Sequence, residues 1–158
     1  MAGGIDESAK QILSGLDIKS PEAMCDQLLR RLSKQLQFVQ GIVYIKDKKS
    51  KKFLPAATFA LNDQNPEPFE SGNGIVGQAV ENKSLIRIND IPENYFDVSS
   101  GLGKAKPKHL LFVPVVFKNQ CIALMELGSF RKPEENTEKL LQKLSEETGK
   151  ILHNLTLK

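Results

Sequence analysis

A chain of 158 residues is long enough for one domain whose core stands without disulfides or metal. Its 22 Lys+Arg against 19 Asp+Glu leave a formal charge of +3, too small and too interspersed to imply a nucleic-acid or anionic-membrane surface. No apolar run approaches the ~20 residues that cross a bilayer, and the N-terminus lacks a secretory pattern, so the chain reads as soluble and cytoplasmic.

Met1-Ala2-Gly3-Gly4 carries no structural pattern, and Ile12, Leu13 and Leu16 predict a short helix after it. Residues 1–19 are thus expected as a tail and short helix ahead of a domain over 20–158. Ser20-Pro21-Glu22 is a helix start, because Ser caps free N–H groups and Pro at the first helical position loses no needed donor. Cys25, Leu28, Leu29, Leu32 and Leu36 follow at helical spacing, with Arg30, Arg31 and Lys34 facing away. Gly41-Ile42-Val43-Tyr44-Ile45 switches to β-branched and aromatic residues, and residues 53–60 predict a second strand. The basic run between them, residues 46–52, reads as a solvated hairpin tip, with a binding patch as the alternative.

Asn65-Pro66-Glu67-Pro68 breaks regular structure and leads to Gly72-Asn73-Gly74, after which Ile75, Val76, Ala79 and Val80 trace one side of a short helix. Leu85-Ile86-Arg87-Ile88 is a short strand. Residues 89–108 form a long connection with apolar islands at Ile91, Tyr95-Phe96 and Leu102, and such loops are usually functional or mobile. Two well-marked strands, 109–117 and 120–129, are joined by Lys118-Asn119, and Pro133-Glu134-Glu135 opens a final helix. This order predicts an α+β fold with a mainly antiparallel sheet, terminal helices on one face and the irregular middle on the other.

Gly72, Gly74 and Gly77 spell G-x-G-x-x-G, but a dinucleotide site needs a parallel strand before them, and residues 65–71 carry two prolines and no strand signal. They read instead as the entry to the small helix. The two histidines, His109 and His153, have no nearby Cys or Ser in an activating motif, which argues against nucleophilic catalysis. Lys104, Lys106 and Lys108 beside His109 suit either an anion or plain solvation. Cys25 and Cys121 sit among apolar residues without metal-ligand or redox spacing.

Ser71-Gly72-Asn73-Gly74-Ile75-Val76-Gly77-Gln78-Ala79, then Asn89-Asp90-Ile91-Pro92, then Leu110-Leu111-Phe112-Val113-Pro114-Val115, then Ala123-Leu124-Met125-Glu126-Leu127-Gly128-Ser129-Phe130 resemble a GAF domain in order and spacing, from about Ser20 to the C-terminus. Residues 95–129, with Ser99-Ser100-Gly101-Leu102-Gly103, most resemble the GAF domains of bacterial multisensor hybrid histidine kinases. The resemblance implies a profilin-like antiparallel sheet of five or six strands, a pocket under the central loop and helix, and dimerisation through terminal helices. It implies a sensory or regulatory module, not an enzyme, joined to an output domain and relaying a small-molecule signal; a ligand-free dimerising scaffold is the alternative, and a small-molecule enzyme a weaker one. The cofactor stays unknown. A covalent bilin is not expected, because tetrapyrrole-binding members commonly place Cys beside His, and Lys108 precedes His109. Asn82-Lys83 lacks the completion that cyclic-nucleotide members carry, and the family's methionine-sulfoxide reductases need more cysteines.

Strand alternation then assigns the pocket walls. Leu110, Phe112, Pro114 and Val116 share one face and Leu111, Val113, Val115 and Phe117 the other; Ile122, Leu124 and Glu126 share a face of the partner strand. A carboxylate on an apolar stripe must find a partner, so Glu126 is either a polar group of the pocket or structurally paired. Phe59, Phe69, Ile75, Ile88, Tyr95, Phe96 and Phe112 complete the candidate pocket. Thr137, Leu141, Leu144, Thr148, Ile151 and Leu155 alternate spacings of four and three, widened by Leu140 and Leu152. This pattern suits packing on the domain's own sheet, a dimer seam, or both, with Leu140, Leu144 and Ile151 inward and Leu141, Thr148 and Leu155 facing a second chain.

Overall fold

The computed structural model describes residues 2–61, 64–98 and 105–156, and in it the two best-marked strand segments, 109–117 and 120–129, form adjacent strands inside a sheet. Strands β1 (Gln40–Lys46), β2 (Phe53–Phe59), β3 (Ile86–Ile88), β4 (His109–Phe117) and β5 (Gln120–Ser129) lie in the order β2-β1-β5-β4-β3, each neighbouring pair antiparallel. Helices α1 (Ala2–Leu13), α2 (Pro21–Leu36) and α4 (Glu135–Thr156) cover one face. Helix α3 (Gly74–Asn82) and the segment after β3 cover the other. This is the expected α+β arrangement, with five strands among the described residues. Ser99-Ser100-Gly101-Leu102-Gly103 and Lys104 lie outside them.

Local chemistry sets the helix boundaries. Ser20 Oγ accepts from the Ala23 amide at 3.1 Å, and Pro21 takes the first helical position of α2. Helix α1 runs back to Ala2, so residues 2–4 are helical although nothing in their sequence predicts it, and Leu16 lies past its end. Arg31 of α2 holds that end, its Nη1 donating to the carbonyls of Ile12 at 2.7 Å and Ser14 at 2.5 Å. Ala9 and Ile12 are buried in the same apolar cluster as Leu28 and Leu32 of α2 and Leu141 and Leu144 of α4.

That packing corrects the expected second face of α4. Leu141 and Thr148, expected to face another chain, are 0% and 1% exposed, buried within the domain beside Ser145 and Gly149, which lie against β4; α1 meets α4 along Thr137, Leu140 and Lys143. Thr137, Ile151 and Leu155 stay half-buried.

Two β-bulges correct the expected alternation. In the β1–β2 pair Val43 faces Ala57 but Tyr44 faces Pro55, leaving Ala56 as an extra residue. Phe53 thus belongs to the α3 side while Ala57 and Phe59 pack on the helix side. Pro55 is tolerated because β2 is an edge strand. In the β4–β5 pair Val115 faces Ala123 and Val116 faces Cys121, so Ile122 is extra and turns to the helix side, parted from Leu124 and Glu126. The β4 faces alternate as expected, Leu110, Phe112 and Val116 on one side and Leu111, Val113 and Val115 on the other.

The glycine triplet is a backbone device. Gly72 and Gly74 have φ of 88° and 68°, the left-handed region that favours glycine. The Gly72 amide donates to the Gly77 carbonyl at 2.9 Å, folding the turn onto the first turn of α3. A Cβ at Gly77 would lie 2.6 Å from the Glu70 carbonyl and 2.9 Å from Gly72 backbone atoms. The residue ahead of the turn, Phe69, forms only an isolated antiparallel bridge with Phe53, so the parallel strand of a dinucleotide fold is not what precedes these glycines. Gly77→Ala is expected to lower stability by about 2–3 kcal/mol through overpacking against backbone. Gly4→Ala, in open space on α1, should be neutral or stabilising by up to about 1 kcal/mol, and urea denaturation compares the two.

Candidate functional site

The face of the sheet under α3 carries one buried acid, Glu126, among mainly apolar side chains. Glu126 lies on β5, the middle strand, directly opposite Ile42 of β1 and Phe112 of β4, with Leu124 two residues away on the same face. It is 3% exposed. Its partner is Tyr95, whose hydroxyl donates to Glu126 Oε2. Tyr95 arrives from the segment after β3 and packs edge-on against Phe96, ring centres 5.3 Å apart.

A second buried polar residue fixes that segment. Gln40, at the start of β1 and 2% exposed, donates from Nε2 to the carbonyls of Phe96 at 3.2 Å and Asp97 at 2.9 Å. Its Oε1 is buried and has no hydrogen-bond partner among the described residues. Asp97 adds outer ties: its amide donates to Gln64 Oε1 at 3.1 Å, and its carboxylate pairs with Lys106 at 3.2 Å. Val98 then bridges to Leu61 and Ala105. The stretch 95–98 is therefore pinned to the sheet by side chains of β1 and β5.

Burial pushes the Glu126 carboxyl up to about 7 from 4.5, the Tyr95 hydrogen bond opposing the rise. The phenols of Tyr95 and Tyr44 are raised too, by burial first and then by the Glu126 charge. Tyr44 packs edge-on against Phe69 at 4.9 Å, and Phe69 stacks on Phe53 at 5.0 Å, closing one end of the face.

Of the eight candidates, Phe69, Ile88, Tyr95, Phe96, Phe112 and Glu126 share this face. Phe59 is on the opposite face because of the β1–β2 bulge. Ile75 is 43% exposed on the outer side of α3, whose inward positions are Val76, Gly77, Ala79 and Val80. Gln40 and Tyr44 are site residues that sequence reasoning missed. Had the strand been started at Gln40, the alternation Gln40, Ile42, Tyr44 would have placed both on this face. Tyr95 occupies the space over Glu126, and the surface grooves of about 290–730 Å³ found among the described residues are not lined by either residue.

His109 Nδ1 lies 2.9 Å from Asn89 Oδ1, and His153 stacks on Phe117 at 4.2 Å, so neither approaches the site. Cys25 and Cys121 are buried on opposite faces, their thiols pushed up to about 12 and about 11, mainly by burial. Among the described residues no three His, Cys, Asp or Glu side chains gather as a metal site, and no helix is long and apolar enough to cross a membrane.

A family model described as GAF domain matches residues 19–153. No curated protein matches the chain. Among solved structures it is similar to the GAF domain of a phosphoenolpyruvate-protein phosphotransferase from Coxiella burnetii, at 16% identity over 98% of this chain and 94% of that one, TM-score 0.78. It is similar to the free methionine-R-sulfoxide reductase from Neisseria meningitidis in complex with its substrate, at 14% identity over 97% and 88%, TM-score 0.70. It is also similar to the A. aeolicus nlh2 GAF domain in an inactive state, at 16% identity over 96% and 94%, TM-score 0.67. At these identities the likeness is one of fold.

The raised Glu126 value makes stability depend on pH in a defined sense. The folded protein keeps a proton that the unfolded chain releases near 4.5, so the effect is absent below that value and grows until pH passes about 7. Stability is expected to fall over this interval by roughly 3 kcal/mol, the equivalent of the shift. In Glu126→Gln this part of the slope should vanish, as measured by urea denaturation at a series of pH values.

Proposed function

Because the chain belongs to the GAF domain family, we propose that it is a cytoplasmic sensory module of a signal-transduction protein, taking a small molecule on the Glu126 face and relaying the change through its terminal helices. Glu126 carries this reading. Burying a carboxylate among Ile42, Phe112 and Leu124 is costly, and one phenol is a modest return for it in a purely structural role. A ligand with an N–H or cationic group would replace the Tyr95 hydroxyl at Glu126 and give Gln40 Oε1 the donor it lacks. Strand β5 leads through residues 130–134 into α4, which gives strain at Glu126 a short route to the terminal helix.

A regulatory role fits the thiols better than sulfoxide reduction does, since burial keeps both protonated and the sheet separates them. For the parent protein we infer a histidine kinase output, on the resemblance carried by residues 95–129. Homodimerisation through the terminal helices would use Thr137, Ile151 and Leu155, the seam positions that stay half-buried. The second reading, a ligand-free scaffold that relays strain, is favoured by one observation: Tyr95 already fills the space over Glu126.

Tyrosine emission tests these readings. The chain has 2 tyrosines and no tryptophan, and both tyrosines adjoin Glu126. A ligand that lifts Tyr95 off the carboxylate should raise emission and the melting temperature together, and Glu126→Leu should abolish both responses. A broad metabolite library that shifts neither quantity in the wild type would favour the scaffold.

A further inference from the structure

The basic run at residues 46–52, open to two readings from sequence, borders a groove on the opposite side of the sheet from Glu126. That groove measures about 730 Å³, against about 290–330 Å³ for four others among the described residues, and lies between the β1–β2 turn and the C-terminal end of α4. Its floor is Ile45 of β1, Ile122 of β5 and Leu152 and Leu155 of α4. Ile122 is there because the β4–β5 bulge turns it to this side. The rim is Lys46, Lys48, Lys49 and Lys51.

Four lysines meet one lining acid, Asp47, a local excess equal to the formal +3 of the whole chain. Asp47 is turned into its own loop, accepting from the Ser50 amide at 2.9 Å and the Ser50 hydroxyl at 2.8 Å, which holds its carboxyl below the usual range. Lys48 Nζ donates to the Thr156 carbonyl at 2.7 Å, tying the turn to the end of α4. Lys46, Lys49 and Lys51 form no ion pair among the described residues.

We propose that this groove binds one single-chain amphipathic anion, an acyl chain with a carboxylate head. The tail would lie over the half-buried Ile45, Ile122 and Leu155 and remove their apolar surface from water, while the head would lie among Lys46, Lys49 and Lys51, which form no ion pair among the described residues. A cationic head would meet four like charges, and a neutral one would leave the rim unanswered. Because the floor includes the last turns of α4, occupancy would bear on the helix that leads out of the domain.

Calorimetric titration with decanoate below its micelle-forming concentration tests this, with decyltrimethylammonium as the control. Saturable one-to-one binding of decanoate is expected, weakened about tenfold or more by Lys49→Glu/Lys51→Glu, weakened by added salt and weakened by Leu155→Gln. Glu126→Gln should leave it unchanged, which separates this site from the one on the other face. Equal binding of the ammonium amphiphile, or decanoate binding indifferent to both the lysine and Leu155 variants, would overturn the proposal. So would a sedimentation result in which a second copy of the chain closes the groove and decanoate does not bind.

Discussion

A carboxylate held between Ile42 and Phe112 on the central strand is the constraint on which the α3 side of this fold depends. Left alone, it would cost several kcal/mol or keep its proton. The chain answers with both means. Tyr95 is brought across the sheet to donate to Glu126, and the carboxyl moves up to about 7. Placing Tyr95 there fixes the course of the backbone on either side of it, and Gln40 secures that course at Phe96 and Asp97. A side-chain requirement on β5 thus orders a segment that has no regular structure of its own.

The two faces of the sheet are built to different rules. The helix face is a continuous apolar layer in which α1, α2 and α4 share one cluster. The α3 face mixes aromatic rings with buried polar groups, and its cover depends on specific hydrogen bonds rather than on interlocking helices. Breaking one tie on that face leaves the helical core intact, so the α3 side can rearrange at much smaller cost than global unfolding.

Much of this was legible in the chain, and the misses have identifiable physics. Strands 109–117 and 120–129 declare themselves as short apolar runs bounded by turn residues, as strands buried on both faces require, and Ser20-Pro21 declares the start of α2 through caps that act locally. Glu126 was recognisable because a charge breaks an apolar stripe. Phe59 and Ile122 were misplaced because a bulge inserts a residue without a sequence signature of its own, and every position beyond it changes face. Ile75 was assigned inward because a helix of this length shows too few turns to fix its rotation, and its burial is set by the glycine turn before it. Leu141 and Thr148 look like an open seam but are buried in the domain's own helix layer, a burial set by tertiary packing that no local pattern encodes.

The placement of the two cysteines has a practical corollary. Cys25 is sealed in the helix layer at 1% exposure, whereas Cys121, 7% exposed, lines a surface groove on the opposite face. A reagent that alkylates thiols therefore reaches Cys25 only when the helix layer opens. The delay between the two alkylations times the loosening of the helix side of the sheet, without a substitution being introduced.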